Sequence, residues 1–377
     1  MNDPKHFVKI LVWLLLTAAI AAGCFILGRN IENKAMSAAF QAEQELNIRI
    51  NRSELEGLGE IEGPVYVTGH MSPDSDTVCS SIAYAELLRK LGYDAQAVVP
   101  GPVNHETAYV LESAGLPVPP LLEDASGKTM ILVDHSELTQ TADGMKDAHI
   151  ISIIDHHGDG SVTTANQMIY DARPLGSTAT IVWIRYRNYG IIPEPQIAEI
   201  MMAALLSDTS NFKARTTSAD REALKVLSGL AGVENTDEFY QEMFKASLSY
   251  EGMSDEEIFF SDYKEFESGG VKFSIGCVNA YDQDAAAALA ERMMSVQPEL
   301  LSLTGMDMSF AQISIFHDDL SFAYIVPSGQ QAAGVIEAAF GDKGVFDGTS
   351  YVFNPGMSRR TVLVPAIADV LASHPSE

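Results

Sequence analysis

The run HIISII, residues 149–154, leads straight into Asp155-His156-His157. Comparable polar endings follow other apolar runs. His70 stands after PVYVTG with Asp74 and Asp76 close behind, Asp134 follows TMILV, and Asp208 follows IMMAALLS. Alone, an aspartate at a strand end is a turn former or helix cap. Together, His70, Asp74, Asp76, Asp134, Asp155, His156, His157 and Asp208 make a donor set of imidazoles and carboxylates. That mixture suits Mn²⁺, Co²⁺, Fe²⁺ or Zn²⁺ better than a lone Mg²⁺, and its size suffices for two ions sharing a carboxylate. Two ions about 3.5–4 Å apart lower the pKa of a bridging water and clamp an in-line displacement at phosphorus.

The elements that must position these residues follow from periodicity. From Pro64 the chain alternates short apolar runs with helical periods: PVYVTGH, TVCSSIAYAELLRKLG, DAQAVVPG, a helix near His105–Ala114, TMILVDH, and HIISIIDHH. Strands joined by crossover helices build a parallel sheet with helices on both faces. Ligands of such sheets gather at the carboxyl ends of the strands, where the polar clusters fall. In GHMSPDSDT, Pro73 stiffens the turn, an extended alternation aims Asp74 and Asp76 at adjacent ions, and a helix from about Thr77 brings its positive end to an anion. Leu175-Gly176-Ser177-Thr178-Ala179 is a second helix start, readable either as a phosphate cradle or as an ordinary cap. Helices dominate to about Ser247. The segment SLSYEGMSDEE, about 247–257, is the best boundary, after which VKFSIGCVNA, FAQISIF and LSFAYIVPS predict a smaller mixed α/β domain.

With 377 residues, two domains are expected. A net charge of −27 offers no basic stripe for a phosphate backbone and excludes nucleic acid as the first partner. Any anionic substrate must instead meet local Arg, Lys or metal. Cys24, Cys79 and Cys277 have neither metal nor disulfide spacing. Ile10–Gly28 is an uncharged run long enough to cross a bilayer as a helix, predicting a single-pass anchor in membrane lipid rather than a lipoprotein. Lysines and arginines on both sides leave its orientation open. Residues 30 to about 58 predict a linker helix able to pair with another copy.

GHMSPDSDT, ILVDHSE, IIDHH and LLSDTSNFK, in this order, resemble the motifs of the DHH phosphoesterase superfamily. The chain is similar, more narrowly, to the family II, manganese-dependent inorganic pyrophosphatases with a carboxyl-terminal DHHA2 domain. NHETAYVLESAG, GSTATI, EMFKA, DYKEF and MSRRTVLVP extend the likeness over about residues 62–367. It implies an α/β protein with an amino-terminal parallel-sheet DHH catalytic domain, 61–247, and a smaller mixed DHHA2-type substrate-binding domain, 257–377; the anchor, 1–29, and the linker helix, 30–60, are read from the sequence and lie outside the likeness.

The resemblance also implies hydrolysis of pyrophosphate to two phosphates through a metal-bridged water. His70, Asp74 and Asp134 would hold one ion, and Asp76, Asp134, His156 and Asp208 the second. The ions would be Mn²⁺, with Co²⁺ as the alternative and Mg²⁺ accompanying substrate. His157, Lys245, Arg359 and Arg360 would contact the phosphates, and Asp155 would steer its neighbour. A homodimer and a cytoplasmic catalytic domain complete the expectation. The family usually has Asn where Ser72 stands, Arg-Lys where Arg359-Arg360 stand, and often a basic residue at Gly158. A phosphodiesterase or exopolyphosphatase of the same superfamily, and a non-hydrolytic sensor, are the alternatives.

Overall fold

The structure, a computed structural model, describes residues 13, 29, 34–59, 61, 63–158, 160–164, 167–317 and 320–373. It divides into two compact units, residues 1–103 with 110–236, and residues 104–109 with 237–377.

In the first unit, β1 (Val65–Thr68), β2 (Ala95–Ala97), β3 (Thr129–Val133), β4 (His149–Asp155) and β5 (Ile169–Ala172) form one sheet in the order β2-β1-β3-β4-β5. Every pairing in it is parallel. The cause lies in the sequence: β3 and β4 are almost continuously apolar and buried, as strands covered on both faces must be. α2 (Ser75–Lys90) and α4 (Thr178–Asn188) pack on this sheet, α3 (His105–Ser113) lies between β2 and β3 in the chain, and α5 (Pro195–Asp208) packs on α2 and α4; α2, α4 and α5 each carry a long run of buried residues. α6 (Ser218–Ala231) packs on α5 and opens with a capping box between Thr217 and Asp220.

A helix over residues 34–56, α1, packs on this body through its second half. Leu55 is buried, Ile48 covers Gly190, and Arg52 donates from Nε and Nη2 to the Tyr189 carbonyl at 3.0 and 2.7 Å. Glu54 accepts from Arg185 Nη1 at 3.1 Å and from the Tyr189 hydroxyl. Arg185, in the last turn of α4, is 3% exposed and also meets Asp171 at 2.8 Å. Its charge is therefore surrounded by acceptors. The first half of α1 leaves Met36 and Phe40 exposed.

No helix among the described residues is long and apolar enough to cross a membrane. The anchor expected over 10–28 lies, except for Trp13, outside the described residues.

In the second unit, α7 (Thr236–Ser247) and α8 (Asp255–Phe260) precede β6 (Tyr263–Ser268), β7 (Val271–Ala280), α9 (Gln283–Thr304), β8 (Met308–His317), β9 (Leu320–Ser328), α10 (Ala332–Phe340), β10 (Val345–Phe346), β11 (Tyr351–Phe353) and α11 (Val364–Ser373). The six strands run β10-β11-β9-β8-β7-β6, with β7 and β8 parallel and the other pairs antiparallel. Alternating residues of β7 and β8 feed two cores. Phe273, Ile275 and Phe310 meet Ile336 and Ile367 on one face, whereas Val278, Ala311 and Ile313 meet Leu289 and Met293 on the other.

Removing Arg185 would leave Glu54 and the Tyr189 hydroxyl without their buried cation and Asp171 with Arg173 alone. Arg185→Ala is expected to lower the unfolding free energy of the first unit by about 3–5 kcal/mol, read from urea denaturation followed by Trp183 fluorescence.

Candidate metal centre

Four chain segments meet at the carboxyl end of the parallel sheet. His70 follows β1 after Gly69, where a Cβ would stand 2.3 Å from Thr77 Cγ2, so only glycine lets the strand end approach α2 this closely. Asp74 is the N-cap of α2, accepting from Thr77 N at 2.9 Å. Asp76 lies in the first turn of the same helix and is wholly buried. Asp134 follows β3 in the left-handed region, with φ 63°, a conformation that aspartate tolerates better than most side chains. Its Oδ2 accepts from Thr77 Oγ1 at 2.9 Å and its Oδ1 from Thr178 Oγ1 at 3.0 Å. His156 and His157 follow β4, and Asp208 closes α5.

The donor atoms converge. His70 Nε2 lies 3.4 Å from Asp74 Oδ2 and 3.5 Å from Asp134 Oδ2. His156 Nε2 lies 3.4 Å from Asp134 Oδ1 and 3.2 Å from Asp208 Oδ2. Two clusters result among the described residues: His70, Asp74 and Asp134, and Asp76, Asp134, His156 and Asp208, each with donor atoms within 4.8 Å of one another. Asp134 belongs to both. A third, overlapping cluster replaces Asp76 and Asp208 by His157. Donors about 2.0–2.2 Å from one ion and at right angles stand about 3 Å apart, close to these separations.

The clearest test of fit is His156. Its Nδ1 faces the Leu175 carbonyl at 3.2 Å and donates there, which leaves the lone pair on Nε2. Nε2 is buried and has no hydrogen-bond partner among the described residues. An unpaired buried acceptor among carboxylates fits a cation. Asp76 fits as well, although it is heavily engaged: Oδ1 accepts from Ser177 Oγ (2.7 Å), Ala179 N (2.9 Å) and Ser80 Oγ (3.1 Å), and Oδ2 from Thr178 N alone (2.6 Å). A carboxylate has about four lone-pair sites, so one on Oδ2 stays open. The first turn of α4 is therefore no phosphate cradle. Its amide donors, left open in sequence between phosphate and cap, are taken by Asp76.

His157 is set apart from the ligand clusters' interior. Its side chain is 57% exposed, and its Nδ1 and backbone N both bond Asp155 Oδ1 at 3.0 Å. That bond to Asp155 raises the imidazole pKa despite burial and the neighbouring His156. Asp155 thus orients the residue two positions on. His135 is buried, with Nδ1 on the Val133 carbonyl at 2.9 Å, and burial pushes its pKa down to about 4, so it is a neutral structural ring. The site opens on a cavity of about 670 Å³ lined by His70, Ser72, Glu137, Gln140, His157 and Gly158, among others.

Lys245, Arg359 and Arg360 belong to the second unit. Lys245 lies in the last turn of α7 with Nζ 6.0 Å from the Tyr281 ring centre. Arg359 and Arg360 open a single π turn, Arg359–Leu363, capped by Ser358. They differ sharply: Arg359 forks onto the Asp262 carbonyl and carboxylate, each at 2.7 Å, whereas Arg360 is exposed.

A parallel sheet whose strand ends assemble two such clusters around a shared aspartate is suited to hold a pair of divalent cations. Residues 64–205 match the DHH family N-terminal domain and residues 241–370 the DHHA2 domain. The chain is 34% identical to the manganese-dependent inorganic pyrophosphatase of Methanothrix thermoacetophila, across 80% of this chain and 97% of that protein. It is also 34% identical to that of Methanocaldococcus jannaschii, over 80% and 97%. A crystal structure of a candidate family II inorganic pyrophosphatase from Methanococcus jannaschii superposes with a TM-score of 0.51 at 32% identity, covering 81% of this chain and 99% of that one. The chain belongs to the manganese-dependent inorganic pyrophosphatase family.

Without metal, the His70 ring among these carboxylates retains a proton. Burial draws the His70 ring down, but hydrogen bonds to Asp134 and Asp74 outweigh it and hold its pKa up at about 10. Asp134 is itself pushed up, by burial first and by the charge of Asp76 next. A raised folded-state pKa stabilises the metal-free protein fully below the ordinary histidine value of 6.5, and that contribution is lost as pH rises through about 10. Metal must displace the proton. The apparent Mn²⁺ dissociation constant is therefore expected to tighten about tenfold per pH unit between pH 7 and 9. Calorimetry in buffers of different ionisation enthalpy checks the accompanying proton release, and a pH-independent constant would contradict it.

Proposed function

We propose that the protein hydrolyses inorganic pyrophosphate to two orthophosphates with two Mn²⁺ ions. His70, Asp74 and Asp134 hold one ion, and Asp76, Asp134, His156 and Asp208 hold the other. The observation that carries this reading is Asp134: each of its oxygens faces one cluster, and its strained backbone is held by a bond from its own N–H to the Ile154 carbonyl at 2.9 Å.

When bound, the ions supply Lewis acidity, drawing charge from phosphoryl oxygens and making a water acidic near neutral pH. The protein's own part is orientation and charge. Thr77 and Thr178 fix the Asp134 carboxylate, the α4 turn fixes Asp76, and the Leu175 carbonyl fixes the His156 tautomer. His157, kept protonated to higher pH by Asp155, presents an N–H to a phosphate oxygen where negative charge grows. In the balanced reaction a water oxygen bonds to one phosphorus and the bridging P–O bond breaks. The second phosphate leaves with that electron pair and takes up one of the water's protons, while the other stays on the phosphate that gained the water oxygen. Lys245 and Arg360 supply positive charge to the substrate, and Arg359 contributes mainly by securing the turn that carries Arg360, since its own fork is occupied by Asp262. The finer proposal of membrane attachment rests on the uncharged run Ile10–Gly28.

Phosphate release from pyrophosphate with added Mn²⁺ tests the reading, with tripolyphosphate and a dinucleotide as comparison substrates. Asp134→Asn keeps a side chain that tolerates the left-handed backbone and is expected to cost at least about 100-fold in activity; full activity would sink the assignment. Arg360→Ala should raise KM by about tenfold, the worth of one charge-assisted hydrogen bond, at unchanged melting temperature, whereas Arg359→Ala should lower the melting temperature as well. The full chain should sediment with membranes and residues 34–377 should not; equal partitioning would remove the anchor.

A further inference from the structure

Behind the α4 turn stands a carboxylate that the ligand clusters do not include. Asp220, the third residue of α6, is wholly buried. Its Oδ2 accepts from Thr217 N at 2.7 Å, one half of the capping box, and from Thr217 Oγ1, also at 2.7 Å. The same oxygen also accepts from Gly176 N at 3.0 Å, across 44 residues of sequence. Its Oδ1 is buried with no donor among the described residues. A cap for α6 needs only Thr217, and a solvated cap would avoid the cost of an unpaired buried oxygen. The bond to Gly176 is what the buried position adds.

Residues 175–179 connect this carboxylate to the metal centre. The Leu175 carbonyl accepts from His156 Nδ1, Ser177 Oγ, Thr178 N and Ala179 N hold Asp76, and Thr178 Oγ1 holds Asp134. A Cβ on Gly176 would lie 2.7 Å from Thr209 Cγ2 and 2.9 Å from Asp220 Oδ2, so the turn is wedged between the start of α6 and the residue after Asp208. We propose that Asp220 is a positioning residue for the second metal ion, pinning the Leu175–Ala179 turn so that Asp76, Asp134 and His156 present their donor atoms to that ion. The inference rests on reading Asp76, Asp134, His156 and Asp208 as the ligands of one ion.

The test measures Mn²⁺ binding to metal-stripped full-length protein by calorimetry, beside thermal melts of the same samples. Asp220→Ala should weaken one of the two binding events by about tenfold or more, the range found when partners of metal ligands are removed. Asp220→Asn retains an oxygen for the three donors and should stay within about threefold of wild type. Thr217→Ala removes the hydroxyl cap but keeps the Asp220–Gly176 bond; it should lower the melting temperature while leaving Mn²⁺ affinity within about twofold. Equal loss of affinity in Asp220→Ala and Thr217→Ala would reduce Asp220 to a helix cap and overturn the inference. Wild-type affinity in Asp220→Ala, with binding lost in Asp76→Asn, would overturn it alone. Wild-type binding in Asp76→Asn would overturn the ligand assignment and the inference together. If Asp220→Ala fails to fold, Gly176→Ala displaces the same turn from the other side and should show the same weakening, and wild-type affinity there would count against the proposal.

Discussion

Mutual repulsion among Asp74, Asp76, Asp134 and Asp208 is the constraint from which the rest of the first unit follows. Their donor atoms crowd together with two histidines at one end of a buried sheet. Among the described residues of the first unit the ion-pair partners of these carboxylates are histidines, so positive charge there comes from protons or metal. The raised pKa values of His70 and Asp134 are the protein's response when only protons are at hand. A site of this kind is preorganised for cations because its alternative is costly. The fold supplies what repulsion opposes: hydroxyl and amide donors from Thr77, Ser80, Ser177, Thr178 and Ala179 hold carboxylates that would otherwise move apart.

The legible part of this arrangement was local. Apolar runs ending in Asp and His marked the strand ends, and parallel topology placed those ends together, so a pool of candidate donors could be written down from sequence, whereas their division between two ions came from the family resemblance. The second unit's strands, VKFSIGCVNA and LSFAYIVPS, were likewise visible as apolar runs, and they stand as β7 and β9. What stayed hidden was each residue's partner across long separations. Ser177-Thr178-Ala179 looks the same whether its donors meet a phosphate or an aspartate about a hundred residues upstream. Asp220 reads as one half of a capping box, which it is, and nothing nearby in sequence announces Gly176. Arg185 sits in a polar stretch, RYRNY, that gives no sign of burial. The three differ from the legible residues in that their roles are set by tertiary packing, not by spacing.

The second unit shows a related division of labour in Arg359 and Arg360. Adjacent in sequence and identical in type, they read as an equivalent pair. The π turn separates them, giving one a fixed acceptor in Asp262 and leaving the other in solvent. Identical side chains thus take different work from backbone direction alone. In a chain with 24 basic and 51 acidic residues, an uncommitted cation is scarce and its placement carries weight.

The docking of α1 bears on where the catalytic body begins. Sequence places its start near residue 61, just before β1, and a truncation there looks harmless because the deleted helix carries no ligand. Yet Ile48, Arg52, Glu54 and Leu55 complete the interior around Arg185, Tyr189 and Gly190. A fragment cut at the sheet would expose that surface and leave a buried guanidinium short of one acceptor. The minimal folding unit therefore reaches upstream of its own first strand, to a point before Ile48, and the apparent linker is half scaffold.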